Sequence, residues 1–205
     1  MLDCDGVILE SVEVKRQAFA KVVREHGPDA EAKILEFYWA NGGLGRHAVF
    51  EWFYTHVLGR EITPEELTRL CDRFSQYCYE AVMEAPFVPG ITEFIDRYHL
   101  QLPMYVASGT PHDELNQIFQ DRNLGRFFKG VYGSPPAKTE LLARIVEDAG
   151  FDPSMVLMVG DSSTDMQAAE AVGTLFYGRG QRFAGSKWPW GLDLQELSDY
   201  VVSVS

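Results

Sequence analysis

Residues 2–11 read Leu-Asp-Cys-Asp-Gly-Val-Ile-Leu-Glu-Ser, and this stretch decides the fold. If Asp3 ends a β-strand, Cys4 points to the opposite face, so Asp3 and Asp5 can point the same way. Gly6 lets the backbone leave the strand by a sharp turn. Two carboxylates at the carboxyl end of a strand suit a divalent cation, or a nucleophile with an acid/base partner. Asp-x-Asp-Gly also occurs in plain turns, so the rest of the chain has to decide between these readings.

Three further segments place polar residues where an apolar run stops. Residues 103–110 read Pro-Met-Tyr-Val-Ala-Ser-Gly-Thr, Lys138 opens a helical pattern, and residues 155–165 read Met-Val-Leu-Met-Val-Gly-Asp-Ser-Ser-Thr-Asp. Ligands of open parallel α/β sheets bind at the carboxyl ends of the strands. Together these residue types predict a site for phosphate and magnesium.

In this order the segments resemble the four motifs of the haloacid dehalogenase (HAD) superfamily. Residues 3–7 are similar to the first motif, Ser108 to the second, Lys138 to the third and residues 160–165 to the fourth. The resemblance is to phosphatases with a helical C1 cap, the phosphoglycolate phosphatase and β-phosphoglucomutase-like subfamily. It implies an α/β fold, a Rossmann-like doubly wound parallel sheet with an inserted helical cap domain.

The hydrophobic pattern predicts two domains. Residues 1–11 and 86–205 alternate strand and helix, as expected for a parallel core. Residues 12–85 contain four helical patterns where a crossover needs only one, which favours a separate cap. The clearest local signal is the capping box and N1 proline of Thr63-Pro64-Glu65-Glu66. Residues 175–177 and 200–204 are candidate edge strands.

The resemblance implies a role for each acid. Asp3 is the expected nucleophile, and Asp5 the general acid and then the general base. The expected cofactor is Mg²⁺, held by Asp161, one oxygen of Asp3 and the backbone carbonyl of Asp5. Asp165 either ligates the ion or orients Asp161.

The remaining core residues are expected to hold the phosphoryl group. Ser108 and the backbone amides of Gly109 and Thr110 contact its oxygens, and Thr110 is also expected to cap the next helix. Lys138 neutralises charge that develops on the transferring group and restrains Asp3.

Composition limits the possible partners. The chain has 205 residues and a net charge of −12, which argues against nucleic acid as a partner. An anionic substrate then needs cations placed locally. Arg46, after the glycine-rich residues 42–45, is the expected substrate-binding charge of the cap.

No apolar run is long enough to cross a bilayer, and we expect no secretory leader. Cys4, Cys71 and Cys78 are scattered, which favours buried thiols in a reducing cytoplasm. We therefore expect a cytoplasmic monomer or homodimer that acts on a small phosphorylated metabolite, without nucleic acid or membrane partners.

Three other functions remain open on the same core. A phosphosugar mutase differs only through the cap, and a phosphonate hydrolase needs a cap lysine, for which Lys15 is the nearest to the first motif. A non-catalytic binding module is the alternative from another class. A dehalogenase is disfavoured because it does not need Asp5.

Overall fold

The computed structural model describes residues 1–41 and 44–204, which form two compact units. One unit comprises Met1–Glu10 and Pro86–Ser205, and the other comprises Ser11–Ala85. The division falls at Ser11, one residue before the boundary expected from the sequence.

The unit Ser11–Ala85 is helical. Its helices are α1 (Val12–Val23), α2 (Pro28–Ala40), α3 (Arg46–His56) and α4 (Pro64–Glu84). The predicted capping box at the start of α4 is confirmed, because the Thr63 hydroxyl accepts from the Glu66 amide and the Glu66 carboxylate accepts from the Thr63 amide. Phe19 lies at the centre of the unit, with ring centroids 4.3 Å from Phe74 and 5.4 Å from Phe50.

The other unit alternates helices with strands. In chain order its elements are α5 (Ile91–Tyr98), β1 (Tyr105–Pro111), α6 (His112–Asp121), β2 (Gly130–Ser134), α7 (Lys138–Ala149), β3 (Leu157–Gly160), α8 (Ser163–Val172), β4 (Leu175–Arg179), β5 (Trp190–Gly191) and α9 (Leu197–Val204).

All strand pairings in this unit's sheet are parallel. Strand β1 pairs with β2, β3 pairs with β4, and β4 pairs with β5. Leu2 forms parallel bridges to both Val106 and Val159, so the first residues of the chain lie between β1 and β3 and join the two halves of the sheet. Helices α6 and α7 pack on β1 and β2, and α8 packs on β3 and β4. The predicted α/β class with a parallel, Rossmann-like sheet is confirmed.

The C-terminal segment differs from the prediction. Residues 200–204 were expected to form an edge strand, but they belong to helix α9. The apolar residues Leu197, Val201 and Val204 recur at helical spacing, and the buried Leu197 anchors the helix to the core. The run Val201-Val202 has strand propensity, yet burial of Leu197 at the start of the helix overrides it, while Val204 at the other end is exposed. The candidate strand at 175–177 is part of β4, but its predicted edge position is wrong, because β4 pairs with β3 on one side and β5 on the other.

Parallel pairing brings the carboxyl ends of the strands to one edge. Asp3 follows the bridged Leu2 and Asp161 follows β3, while Ser108 lies in the carboxyl-terminal half of β1, so all three are at the same edge of the sheet. Within the described part of the chain, no helix has the length and hydropathy needed to cross a membrane.

Candidate active site

Asp3 is held at the centre of the sheet edge. Its amide donates to the Val159 carbonyl (3.0 Å), which continues the pairing of Leu2 with the neighbouring strands. The Asp3 side chain is 5% exposed, and its Oδ1 accepts a hydrogen bond from the Cys4 amide at 2.7 Å. The carboxylate is therefore oriented by the backbone that directly follows it.

Lys138 connects the first and fourth motifs. It is the first residue of α7, and its Nζ lies 2.8 Å from Asp3 Oδ2 and 2.5 Å from Asp165 Oδ1. The lysine side chain is 6% exposed, and a lysine is rarely buried to that degree without ionic partners. The sequence prediction that Lys138 restrains Asp3 agrees with this contact.

Asp165 uses both of its oxygens within the site. Its Oδ1 pairs with Lys138, while its Oδ2 accepts from the Ser162 amide (3.0 Å) and the Ser162 hydroxyl (2.5 Å). Ser162 is the N-cap of α8 and forms a capping box with Asp165. A Cβ at Gly160 would lie 2.2 Å from the Asp165 Cβ, so glycine is required there for Asp165 to occupy this position.

Three carboxylates converge in a way that suits a hard cation. One carboxylate oxygen from each of Asp3, Asp161 and Asp165 lies within 4.8 Å of the others. An all-oxygen donor set of this kind is what Mg²⁺ prefers. Lys138 supplies one positive charge against three acids, so the set fits a divalent cation electrostatically. The side chain of Asp5 is not part of this group, and its backbone carbonyl remains the predicted contribution.

Burial, and then the surplus of negative charge, raise the pKa values of two of these acids. Burial raises the pKa of Asp3 well above its usual range, and Asp165, Asp161 and Asp5 add to the effect while Lys138 opposes it. Burial and the charge of Asp165 raise the pKa of Asp161 to about 7, against the charges of Lys138 and Arg182.

For Lys138, burial and the neighbouring acids act on the pKa in opposite directions. Burial alone would lower the pKa of Lys138, but its pairs with Asp165 and Asp3 raise it above the usual value. Lys138 therefore stays charged.

A hydroxyl relay joins the second motif to the first. Ser108 Oγ donates to Thr110 Oγ1 (3.2 Å), and Thr110 Oγ1 donates to Asp5 Oδ2 (3.1 Å). The Thr110 amide donates to Ser108 Oγ at 3.2 Å. Thr110 was expected to cap the next helix, but that prediction is wrong, because Thr110 belongs to β1 and the N-cap of α6 is Pro111. Strand β1 extends to Pro111, which pairs with Ser134 after a register shift that follows Ser108.

Gly109 and Arg46 complete the set of predicted residues. Gly109 lies in β1 between Ser108 and Thr110, at the same sheet edge. Arg46 is the first residue of α3 and is buried; its guanidinium stacks over the Phe74 ring at 4.7 Å and donates to the Ser75 hydroxyl. Gly42 and Gly43 of the glycine-rich loop lie outside the described residues. The roles of Gly109 and Arg46 in substrate binding stay predictions.

Sequence reasoning missed three contributors. Ser162 and Gly160 shape the position of Asp165, and the Ser-x-x-Asp spacing of residues 162–165 is a capping-box signal that could have identified the first of them. Arg182 follows β4 in a 3₁₀ turn, and its charge acts on Asp161. No local pattern marks Arg182, because its proximity to Asp161 arises from the pairing of β3 with β4.

Most of the chain is similar in sequence to known proteins. The chain is 24% identical over 181 residues to a phosphoglycolate phosphatase from Pseudomonas putida strain KT2440, a match that covers 84% of this chain and 65% of that protein. The chain thus spans less than two thirds of this relative's length.

Solved structures share the fold. A β-phosphoglucomutase from Clostridium difficile superposes with a TM-score of 0.81 at 17% identity, covering 99% of this chain and 94% of that one. The HAD hydrolase YfnB from Bacillus subtilis, bound to magnesium, gives a TM-score of 0.70 at 17% identity, with 98% and 96% covered. Residues 1–173, which carry all four motifs, match the haloacid dehalogenase-like hydrolase family, and the chain belongs to that family.

Proposed function

We propose that this protein is a magnesium-dependent phosphatase that hydrolyses a small phosphorylated metabolite through an aspartyl-phosphate intermediate on Asp3. The observation that carries the proposal is the buried Lys138, which bridges Asp3 and Asp165 beside Asp161. A structural ion pair needs one carboxylate. A lysine shared between two acids, with a third acid within 4.8 Å, instead suits a site that receives both a cation and a phosphoryl group.

In the first step an oxygen of Asp3 attacks phosphorus and the bond to the leaving oxygen breaks. The Cys4 amide and Lys138 fix the orientation of the attacking carboxylate. Asp5 gives its proton to the leaving alkoxide, and the Thr110 hydroxyl holds Asp5 in place.

In the second step Asp5 takes a proton from water, which attacks the phosphorus of the aspartyl phosphate. The bond from phosphorus to Asp3 breaks, and inorganic phosphate and the free Asp3 carboxylate are produced. Lys138 offsets negative charge on the phosphoryl oxygens in both steps. Asp161, one oxygen of Asp3 and the backbone carbonyl of Asp5 would hold Mg²⁺, and Asp165 would either ligate the ion or orient Asp161. The bound ion would offset the repulsion between the Asp3 carboxylate and the substrate phosphate.

The substrate proposal rests on chemistry and on the relatives. Several relatives are named phosphoglycolate phosphatases, so a small phosphorylated carboxylic acid is the first substrate class to test. With a net charge of −12, the chain must place its cations locally to bind such an anion.

The test is phosphate release from a panel of phosphorylated metabolites with MgCl₂. We expect Asp3→Asn to abolish turnover, since an amide is not a competent nucleophile, while denaturant unfolding stays cooperative. Asp148→Asn, an exposed acid on α7, is the matched control and should keep full activity. Substantial activity in Asp3→Asn, or full activity with excess chelator, would refute the proposal.

The same assay separates a phosphatase from a phosphosugar mutase. A mutase returns the phosphoryl group to a sugar hydroxyl, so it yields an isomeric sugar phosphate with little inorganic phosphate. Quantifying both products for each hexose phosphate therefore distinguishes the two reactions.

A further inference from the structure

The unit of Met1–Glu10 and Pro86–Ser205 contains an ion pair that takes no part in the proposed reaction. Arg179 ends β4, and its Nη2 donates to the Glu10 carboxylate. The two side chains are 20% and 32% exposed, so the pair is largely shielded from solvent. The partners are 169 residues apart in sequence, and Glu10 ends the loop that begins with the nucleophile motif.

The loop from Cys4 to Glu10 is a compact turn with defined contacts. The amides of Ile8 and Leu9 both donate to the Cys4 carbonyl at 2.9 Å, and the Gly6 amide donates to the Leu9 carbonyl at 2.7 Å. Gly6 has φ +75°, the left-handed conformation that glycine adopts without strain. Asp5 lies inside this turn, so its backbone position depends on how the turn is closed.

The far end of the turn is joined to the core by the returning chain. The Val88 amide donates to the Ile8 carbonyl (3.1 Å), and the Glu10 amide donates to the Pro86 carbonyl (2.9 Å). Residues 8–10 and residues 86–88 are therefore hydrogen-bonded to each other through these backbone groups. The Glu10 side chain joins residues 8–10 to Arg179, at the end of β4.

Arg179 is itself held from a second side. Its Nε donates to the Leu192 carbonyl at 3.1 Å, and the next residue's amide, on Gly180, donates to the Gly191 carbonyl at 2.7 Å. The guanidinium is thus fixed before it meets Glu10. A planar guanidinium with two anchors holds a carboxylate in one geometry better than a lysine would.

We propose that Arg179 is a positioning residue: through Glu10 it fixes the turn that carries the general acid Asp5. The Thr110 hydroxyl then supports the Asp5 side chain, and the Arg179–Glu10 pair supports the end of its turn. The kinetic part of this inference rests on the proposed phosphatase function.

The test compares Arg179→Gln, Glu10→Gln and the double variant on two substrates. An alkyl phosphate has a poor leaving group that needs a proton from Asp5, whereas a nitrophenyl phosphate leaves without one. We expect kcat for the alkyl ester to fall about tenfold to a hundredfold, with a much smaller change for the aryl ester. Because the two side chains act as a pair, the double variant should resemble either single variant.

Controls separate positioning from general stabilisation. Lys187→Gln breaks the exposed Lys187–Glu170 pair of the same unit and should leave both rates unchanged. The exchanged pair Glu10→Arg with Arg179→Glu should recover part of the alkyl-ester rate. Equal losses for both esters, or additive losses in the double variant, would overturn the inference.

Hydrogen exchange tests the same inference without turnover. The amides of Ile8 and Leu9 should exchange faster in Arg179→Gln than in the wild type, while amides of β2 remain unchanged. Unchanged protection of Ile8 and Leu9 would overturn the inference. If this exchange result holds but the wild type releases no phosphate, the proposed function fails and the structural role of Arg179 stands.

Discussion

Replacing Asp161 by asparagine should stabilise the metal-free protein. The pKa of Asp161 is raised from 3.8 to about 7, chiefly by burial and by Asp165. A carboxyl whose pKa is raised by folding favours the folded state only while it is protonated. That contribution is complete below pH 3.8 and is lost as the pH rises through about 7.

The size of the effect follows from the two pKa values. The difference between about 7 and 3.8 corresponds to about 4 kcal/mol once Asp161 is fully ionised. Part of the side chain remains accessible to solvent, so screening reduces the expected gain of Asp161→Asn to about 2 kcal/mol at about pH 8. Below about pH 4 the variant and the wild type should have nearly equal free energies of unfolding.

Urea unfolding in excess chelator measures the free energy of unfolding of the wild type and of Asp161→Asn, at about pH 4 and about pH 8. Asp148→Asn, which removes an exposed acid of α7, serves as the control. Added MgCl₂ should stabilise the wild type by mass action and stabilise Asp161→Asn much less. The reasoning is refuted if Asp161→Asn is less stable than the wild type at the higher pH, or if Mg²⁺ stabilises both equally.

Two other substitutions test the packing of the site and the role of the helical unit. Gly160→Ala should displace Asp165, because the new Cβ would lie 2.2 Å from the Asp165 Cβ; we expect loss of phosphatase activity and about 3 kcal/mol of stability. Gly125→Ala, with no atom within 4 Å of its Cβ, is the control, and wild-type activity in Gly160→Ala would contradict the assignment. Arg46→Ala should raise KM for the metabolite while sparing a small aryl phosphate, and should lose about 1–2 kcal/mol because Arg46 stacks over Phe74. Equal effects on both substrates would leave Arg46 with a structural role only.

Much of the fold could be predicted because its signals are local. The alternation of apolar runs with helical patterns identified β1, β3 and β4, and the Thr63 capping box identified the start of α4. The prediction failed where two local signals competed. Thr110 was expected to cap the helix that follows it, and residues 200–204 were expected to form an edge strand. Sheet pairing decided the first case and burial of Leu197 the second.

The sequence by itself predicted which residues form the candidate site and near which strand ends they lie. Four of the predicted site residues each follow an apolar run or begin a helix. Along the sequence these residues occur in the order Asp3, Ser108, Lys138 and Asp161. Parallel pairing then requires such strand ends to meet at one edge.

The tertiary structure alone decided how these groups are connected. Lys138 shares its charge between Asp3 and Asp165, Thr110 binds Asp5 rather than capping a helix, and Arg179 reaches Glu10. Each contact joins residues that are 27 to 169 positions apart. Ion pairs and hydrogen bonds act over a few ångströms and leave no periodic trace in the sequence. They exist only after the sheet has brought the strand ends together.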